Sequence, residues 1–281
     1  MSGRQEPRAS AREAPYTRVG RPSVSAGSWQ VPAHDTVVLR PARTRHAVIV
    51  PVWNEGERFE RQLREMRPYT EIADIIVADA PSTDGSTTAS KLAAANVHAV
   101  VSLAEPGRQS ASLRAALAYA MNEGFEGIIL MDGNGKDDPA GIEGFVRELD
   151  SGGDYVQGSR FLPRGKAINT PRSRMFLIRF VHAPLFSLLC GRRFTDSTNG
   201  FRAFSRRLLL DPRVRPFRNA FGQYEIYPYL AWAACRYNFD VRDLAVTRSY
   251  PAVGPVPTKI SLFHGNWQML KPLLMILFRR Y

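Results

Sequence analysis

Short apolar runs alternate with helical stretches along residues 46–150, and this alternation is the strongest constraint on the fold. Short runs that are apolar throughout predict strands buried on both faces, and the segments between them have helical spacing or are rich in alanine. Strands and helices that alternate in this way predict an α/β fold with a mostly parallel central sheet flanked by helices. The strands are expected within residues 46–55, 74–86, 97–102 and 127–135, and the helices are expected to end near Arg67, Ala95, Asn122 and Leu149.

The composition is that of a globular protein with an excess of arginine. The chain has 281 residues, 44% of them hydrophobic and 23% charged, which excludes a mainly disordered chain. Two cysteines are too few for a disulfide framework or a cysteine-based zinc site, so a reduced, cytoplasmic location is expected. The net charge of +12 indicates an anionic partner, and nucleic acid, a phosphorylated ligand and an anionic membrane all fit it.

Composition divides the chain into three parts. Residues 1–45 are rich in Pro, Ser, Gly and Arg, which predicts a disordered basic tail with at most a short edge strand at 37–39. Residues 46–260 form one expected domain, and residues 261–281 an amphipathic C-terminal segment. This segment and the apolar stretch 176–190 are interrupted by basic residues or proline, so neither is expected to span a bilayer. Each fits a helix in a membrane interface or a buried core helix.

Polar residues gather where the four expected strands end. They are Asn54, Glu55, Asp79, Asp84, residues 107–109, Asp132 and Asn134. In parallel sheets, ligands bind beyond the carboxyl ends of the strands. Carboxylates there accept hydrogen bonds from a base or ribose, or hold a divalent cation that neutralises a diphosphate. The pattern therefore predicts a nucleotide-diphosphate ligand, and the chain lacks the Gly-rich motifs of P-loop and dinucleotide-binding proteins.

Five motifs carry a family resemblance. The motifs are PVWNEG, DAPSTDGS, MDGNGKDDP, GSRF and DSTNGFRAFSRR. Their order and spacing resemble those of family 2 glycosyltransferases, which have the GT-A (nucleotide-diphospho-sugar transferase) fold. Within that family they resemble the dolichol-phosphate mannosyltransferase-like branch, also called the polyprenyl-phosphate glycosyl synthase branch. The resemblance covers residues 46–271. It implies an inverting enzyme that moves a hexose from a nucleotide-diphosphate sugar to a polyprenyl phosphate. A hydroxyl acceptor on a glycan or other polymer is one alternative, and a basic nucleic-acid-binding or non-catalytic sugar-nucleotide-binding protein is another.

The resemblance implies a donor site at the strand ends. Asp79 matches an aspartate that reads the base, and it can accept a hydrogen bond from uracil or guanine, so the base stays open. The second aspartate of that pair is Ala80 here. The implied donor-binding residues are Pro51, Asn54, Glu55, Asp79, Asp84, Arg108, Gln109, Asp132 and Asn134.

The metal motif departs from the family pattern. Asp132 matches the first acid of an Asp-x-Asp motif, Asn134 replaces the second, and Lys136 stands where glutamine is common. Two interpretations are open. In the first, Mg²⁺ or Mn²⁺ binds through Asp132, Asn134 and Asp138. In the second, Lys136 partly replaces the metal as the counter-charge of the phosphate. We favour the metal, because Asp132 otherwise faces a diphosphate unscreened. Asp138 also suits the N-cap of a helix that begins near Pro139.

The acceptor side is implied by the second half of the chain. Arg160 and Arg174 match positions that bind the acceptor's phosphate, and Arg172 is an alternative match for the second of these positions. Residues 161–174 resemble an active-site loop, and a solvated surface loop is the alternative. The implied acceptor-binding residues are Arg160, Arg174, Arg202, Glu225 and Lys259, and the catalytic ones Asp132, Arg160 and Asp196.

A general base is needed only for some acceptors. A phosphate oxygen is already anionic at neutral pH, whereas a hydroxyl needs a base, for which Asp196 is the first choice and Glu225 the second. Helix capping by Asp196 and an internal ion pair of Glu225 with an arginine are the structural alternatives. Gly200, between them in sequence, predicts a close backbone approach or a positive φ. The expected partners are a nucleotide-diphosphate sugar and a lipid phosphate, at the cytoplasmic face of a membrane.

Overall fold

Two sheets make up the centre of the computed structural model, which describes residues 17–19, 29–105, 109–222, 224–251 and 264–277. Within these residues, nine strands form the main sheet and two form a second, small one. The strands are β1 (Thr17–Val19), β2 (His34–Val38), β3 (His46–Val52), β4 (Asp74–Asp79), β5 (Ala99–Leu103), β6 (Gly127–Leu130), β7 (Tyr155–Ser159), β8 (Lys166–Ile168), β9 (Arg202–Ser205), β10 (Val241–Ala245) and β11 (Thr247–Ser249).

The main sheet has the order β1-β2-β5-β4-β3-β6-β9-β7-β10. Strands β5, β4, β3 and β6 are parallel to one another, as the alternating pattern predicts. Strand β9 is antiparallel to both of its neighbours, β6 and β7. This reversal places the segment that enters β9, residues 196–201, at the same edge where the parallel strands end.

Helices follow the predicted strands. They are α1 (Glu57–Met66), α2 (Ala89–Ala94), α3 (Gln109–Asn122), α4 (Gly141–Asp150), α5 (Arg172–Leu177), α6 (Ala183–Cys190), α7 (Arg206–Leu210), α8 (Ile226–Arg236) and α9 (His264–Leu277), with a 3₁₀ turn at Arg67–Glu71 and a π-helical turn at Ile178–His182. In α1, Phe59, Leu63 and Met66 are buried at helical spacing. Acidic residues in its first turn stabilise the helix by interacting with the positive end of the helix dipole.

Both faces of the sheet are buried. In β3, Ala47 and Ile49 join a core with α3, α6 and α8, whereas Val48 and Val50 join a second core with α1, α2 and α4. Neighbouring residues of a strand point to opposite faces, so a strand that is apolar throughout needs a helix layer on each side. The expected α/β architecture is thereby confirmed.

The small sheet connects two distant parts of the chain. Strand β11 pairs in parallel with β8, which lies in the predicted loop 161–174. On its other side β11 pairs with the turn after β6, because Asp138 N donates to Thr247 O at 3.1 Å and Ser249 N donates to Lys136 O at 2.7 Å. Strand β11 thus holds the predicted acceptor loop against the predicted metal motif.

The ordered domain begins before residue 46, which corrects the predicted boundary of the tail. Strand β2 pairs with β5 from His34 opposite Leu103 to Val38 opposite Ala99. Asp74, at the start of β4, is fully buried and accepts hydrogen bonds from the backbone N of Arg43 and of Thr44 at 2.8 and 2.9 Å. These contacts tie residues 40–44 to the sheet, although their composition resembles that of a flexible segment.

Replacing Asp74 with asparagine is expected to lower the free energy of unfolding by about 3 kcal/mol, because a buried charge-assisted network is lost. Burial raises the pKa of Asp74, but the hydrogen bonds from Arg43, Thr44 and Arg40 outweigh it and hold the pKa below 3.8. The difference between wild type and variant should therefore persist at neutral pH and disappear as the pH falls below 3.8. Urea unfolding at several pH values measures it; a difference that does not change with pH would contradict the assignment.

Candidate active site

The turns after β3 and β4 are bound to each other by the predicted donor residues. Asn54 has a φ of 50°, and its Oδ1 accepts a hydrogen bond from Thr83 N at 2.7 Å. Asp84 Oδ2 accepts from Gly56 N at 2.8 Å, and its Oδ1 accepts from Ser86 N at 3.0 Å. Asn54 and Asp84 are exposed, so they both shape this edge of the sheet and border the space above it.

Asp79 and Glu55 also lie at this edge. Asp79 is 5% exposed and accepts hydrogen bonds from Ser82 N at 3.0 Å and Ser102 Oγ at 3.2 Å. Glu55 forms an ion pair with Arg58 at 3.1 Å. Contact of either carboxylate with a base or ribose stays a prediction.

Asp132 is held from two directions. The side chain of Gln62, fully buried on α1, donates to Asp132 O at 2.9 Å and accepts from Gly135 N at 2.7 Å, which fixes the turn after β6. On the other side Gly200 lies against the carboxylate, and a Cβ built on Gly200 would lie 2.7–2.8 Å from its atoms. Of the two reasons predicted for a glycine at position 200, close approach is the one that applies. The turn is also joined to β3, since Gly133 N donates to Pro51 O at 3.1 Å.

Arg248 on β11 bridges the predicted metal ligand Asp132 and Asp137, an acid of the same turn that was not among the predicted ligands. Its Nη2 lies 3.0 Å from Asp132 Oδ2, and its Nη1 bonds to Asp137 Oδ2. The same Nη1 is 3.3 Å from the amide oxygen of Asn199. Burial disfavours the charged forms of Arg248, Asp132 and Asp137. The two nearby carboxylates nevertheless raise the pKa of Arg248, and the positive charges of Arg248 and Lys136 lower the pKa of Asp132. Sequence reasoning missed Arg248, because a single arginine in a three-residue strand carries no pattern.

The other residues of the motif do not fit a divalent cation. Asn134 directs its Nδ2 toward Asp132 Oδ2 at 3.5 Å and uses its carbonyl to accept from Lys136 N at 3.3 Å. Asp138 is exposed, and its Oδ1 accepts from Ala140 N at 3.0 Å within the turn before α4. The N-cap of α4 is Ala140, so Asp138 does not cap the helix as the alternative predicted. Among the described residues no group of three His, Cys, Asp or Glu side chains is placed to hold a metal ion. The donor set that we expected at Asp132, Asn134 and Asp138 is thus not assembled.

Lys136 and Arg174 meet at one aromatic ring. The Lys136 ammonium lies 5.3 Å from the centre of the Tyr250 ring, and the Arg174 guanidinium lies 5.9 Å from it. Burial and the neighbouring Arg248 lower the pKa of Lys136 to about 8. The predicted acceptor-binding Arg174 is therefore close to the predicted donor motif, although 38 positions separate Lys136 from Arg174 in sequence.

Arg160 and Asp196 form a buried pair. Arg160 Nε and Nη2 donate to the two carboxylate oxygens of Asp196 at 2.7 and 2.9 Å, and Asp196 is fully buried. Burial raises the pKa of Asp196, but Arg160 and the hydrogen bonds it donates outweigh burial and hold that pKa below its ordinary value. A carboxylate with a depressed pKa is a weak proton acceptor. The third nitrogen of Arg160, Nη1, takes no part in the pair.

Arg202, Glu225 and Gln109 surround the first turn of α8. Arg202 is 2% exposed and donates to neutral acceptors, including Tyr227 O at 3.1 Å and Tyr155 Oη at 3.2 Å. Gln109 Nε2, at the start of α3, donates to Tyr227 Oη at 2.7 Å. The charge of Glu225 acts to raise the pKa of Arg114, although burial lowers it overall, and an ion pair between them stays a prediction. Acceptor binding by Arg202 and Glu225 stays a prediction. The predicted site residues Arg108 and Lys259 lie outside the described residues.

An apolar surface lies next to this site. Helix α5, the π-helical turn and α6 form one continuous helix, Arg172–Cys190, which by length and composition is the one helix of the described residues that could cross a membrane. Phe176 and Phe180 are 58% and 64% exposed with their ring centres 5.0 Å apart, and Leu188 is 80% exposed. Two interpretations were predicted for this apolar stretch, a helix in a membrane interface and a buried core helix. The buried core helix does not account for the exposed side chains.

Comparison with known proteins identifies similar sequences. Residues 47–211 match the sequence model of Glycosyl transferase family 2. A polyprenol monophosphomannose synthase of Mycolicibacterium smegmatis is 27% identical over 229 residues, which cover 80% of this chain and 84% of that protein. An undecaprenyl-phosphate mannosyltransferase of Micrococcus luteus is 28% identical over 163 residues, 57% of this chain and 66% of that protein.

Solved structures show the same architecture. Glucosyl-3-phosphoglycerate synthase of Mycobacterium tuberculosis, crystallised with Mn²⁺, UDP and glucosyl-3-phosphoglycerate, has a TM-score of 0.60 at 18% identity. The similarity covers 93% of this chain and 86% of that one. The same enzyme has also been crystallised with Mg²⁺ and UDP. At this identity the likeness shows the fold, and it confirms the expected GT-A fold.

Replacing Gly200 with alanine is expected to lower the free energy of unfolding by about 1–3 kcal/mol, because the new methyl group overlaps the Asp132 carboxylate. Gly222→Ala is the matched control, since a Cβ at Gly222 would meet no atom of the described residues within 4 Å. Its effect should stay within about 0.5 kcal/mol. Urea unfolding of both variants checks this, and equal effects would show that Gly200 does not support Asp132.

Proposed function

Because the chain belongs to Glycosyl transferase family 2, we propose that it is an inverting transferase that moves a hexose from a nucleotide-diphosphate sugar to a polyprenyl phosphate. Family membership implies the nucleotide-sugar donor. The lipid-phosphate acceptor is supported by the names of the two mannosyltransferase relatives and by the arginines of the site. The observation that carries the proposal is the buried Arg160–Asp196 pair.

The paired Asp196 favours an acceptor that needs no base. A hydroxyl acceptor must lose a proton during attack, and Asp196, the first candidate for that role, is fully buried with both oxygens bonded to Arg160. A phosphate monoester oxygen is already anionic at neutral pH and attacks without giving up a proton. Its bond to the anomeric carbon forms as the bond from that carbon to the diphosphate breaks, and the electron pair leaves with the nucleoside diphosphate.

Positive charge near the acceptor loop supports a phosphate-bearing acceptor. Arg174 lies over Tyr250 beside Lys136, and Arg160 interacts electrostatically with Arg248 and Tyr250. Such a group of cations favours two phosphate-bearing substrates close together and offsets the repulsion between them. Alignment of the two bound substrates and stabilisation of the leaving diphosphate then supply most of the rate.

The exposed face of α5 and α6 supports a lipid acceptor at a membrane surface. Phe176, Phe180 and Leu188 expose apolar side chains, and Arg172 and Arg179 on the same helix are exposed as well. Apolar side chains flanked by basic residues are typical of helices that lie in an anionic membrane interface. We therefore place the enzyme at the cytoplasmic face of the membrane, with the acceptor's phosphate directed toward Arg174.

A panel of UDP- and GDP-hexoses, incubated with and without polyprenyl phosphate, tests the reaction. We expect one of these donors to transfer its hexose to the lipid phosphate with inversion at the anomeric carbon, as measured by chromatography and NMR of the product. Transfer to a glycan hydroxyl, with none to the lipid phosphate, would favour the hydroxyl-acceptor alternative.

Replacing Arg174 with glutamine should lower kcat/KM for the lipid phosphate by about 10- to 100-fold, because a charge-assisted hydrogen bond to phosphate is lost. Slow hydrolysis of the donor in the absence of lipid should change much less. Arg147→Gln, an exposed arginine of α4, is the matched control. Equal losses in transfer and hydrolysis would argue against a role for Arg174 at the acceptor.

Phe180→Asp should weaken binding to anionic phosphatidylglycerol vesicles by about tenfold or more, since burial of one phenylalanine contributes roughly 2 kcal/mol. Leu210→Asp, on α7 and 38% exposed, is the control. Co-sedimentation with vesicles measures both. Unchanged binding of the Phe180 variant would exclude this face as the membrane-binding surface.

A further inference from the structure

A fixed cation is already bound to Asp132, the first residue of the metal-binding set expected at Asp132, Asn134 and Asp138. The guanidinium of Arg248 lies between Asp132 and Asp137, in contact with one oxygen of each. Its side chain is 7% exposed, and that of Asp137 is fully buried. A metal ion that bound both carboxylates would have to displace a buried guanidinium from two ion pairs at once.

The strand pairing of β11 keeps Arg248 in this position. Asp137 and Arg248 lie opposite each other in an antiparallel bridge, flanked by the hydrogen bonds from Asp138 N to Thr247 O and from Ser249 N to Lys136 O. The guanidinium also bonds to Asn199, whose backbone carbonyl holds Arg202. The backbone of Arg248 is therefore part of the framework of the site, and its guanidinium is held there by its contacts with Asp132, Asp137 and Asn199.

Two further cations lie beside this ion bridge. Both Lys136 and Arg174 lie over the ring of Tyr250. Three cations thus accompany the two carboxylates of the bridge, which gives this part of the site a positive excess. A nucleoside diphosphate needs such an excess, because negative charge accumulates on its oxygens as the sugar leaves.

We propose that Arg248 takes the place of the divalent cation between Asp132 and Asp137, and that Lys136 holds the donor's diphosphate, so that donor binding and transfer need neither Mg²⁺ nor Mn²⁺. Arg248 neutralises the two carboxylates that would repel the diphosphate. As the bond between the anomeric carbon and the diphosphate breaks, the electron pair leaves with the diphosphate beside the Lys136 ammonium. This assignment rests on the proposed function, since it presumes a nucleotide-diphosphate donor.

Metal binding without substrate is the first measurement. Electron paramagnetic resonance of Mn²⁺ titrated into the wild-type protein should show no bound ion at millimolar concentration. Arg248→Gln should gain a bound Mn²⁺, because it leaves Asp132 and Asp137 without their cation. Binding of Mn²⁺ to wild type at micromolar concentration would overturn the proposal. Circular dichroism establishes whether the Arg248 variant folds, and the Lys136 variant below carries the test if it does not.

Nucleotide binding is the second measurement, with UDP and GDP as probes. Calorimetry on the wild type should give the same Kd in EDTA and in Mn²⁺, within about twofold. Lys136→Gln should weaken binding in EDTA by about tenfold or more, as expected for the loss of a charged contact. Lys91→Gln, an exposed lysine on α2 paired with Glu60, is the matched control and should leave the Kd unchanged. Tenfold tighter binding of the wild type in Mn²⁺, or an equal Kd for the Lys136 variant and wild type in EDTA, would overturn the proposal.

The two proposals fail in different ways. If UDP or GDP binds equally in EDTA and Mn²⁺ but no hexose is transferred to polyprenyl phosphate, the proposed acceptor is wrong. The proposal that Arg248 and Lys136 act in place of the metal ion is then retained. If transfer to the lipid phosphate occurs only with Mg²⁺ or Mn²⁺, the proposed acceptor is retained. The proposal that Arg248 and Lys136 act in place of the metal ion is then wrong. If neither nucleotide binds under either condition, both are wrong.

Discussion

The ion bridge from Asp132 through Arg248 to Asp137 is the interaction on which the rest of the site depends. The carboxylate of Asp137 is fully buried and that of Asp132 is 17% exposed, and the two repel each other within one short turn. A guanidinium between them turns that repulsion into attraction. The bridge also requires β11 to lie beside the turn after β6. Backbone pairing and charge pairing thus support each other, and through β11 they fix the position of β8 in the predicted acceptor loop.

Packing around Asp132 leaves its carboxylate little freedom. Gln62 bonds the backbone of the turn from α1, Gly200 contacts the carboxylate from the segment before β9, and Arg248 pairs with it from β11. These three elements come from different parts of the chain. Because this carboxylate is fixed, the Arg248 guanidinium paired with it is also in place before a substrate arrives, and a cation positioned in advance needs little reorganisation to stabilise an anionic leaving group.

The change of strand direction at β9 connects the fold to the chemistry. Parallel strands β4, β3 and β6 end at one edge and place the predicted donor residues there. Because β9 is antiparallel to β6, the segment that contains Asp196, Asn199 and Gly200 enters β9 at that same edge. The residues predicted to bind the donor and those predicted to bind the acceptor therefore lie at the same edge of the sheet. The helix Arg172–Cys190 has an exposed apolar face.

The sequence by itself determined the parallel part of the sheet and the donor edge, because apolar runs and helical spacing are local patterns that neighbouring residues share. It also identified Asp132, Gly200 and Arg174 through short motifs. Only the tertiary structure decided that residues 34–38 belong to the sheet, that Asp196 is paired with Arg160, and that Arg248 lies between Asp132 and Asp137. Each of these depends on a contact between distant residues; Arg248 and Asp132 are 116 positions apart. A polar strand or a single arginine has no local periodicity, so its role arises from the partner that the fold brings to it.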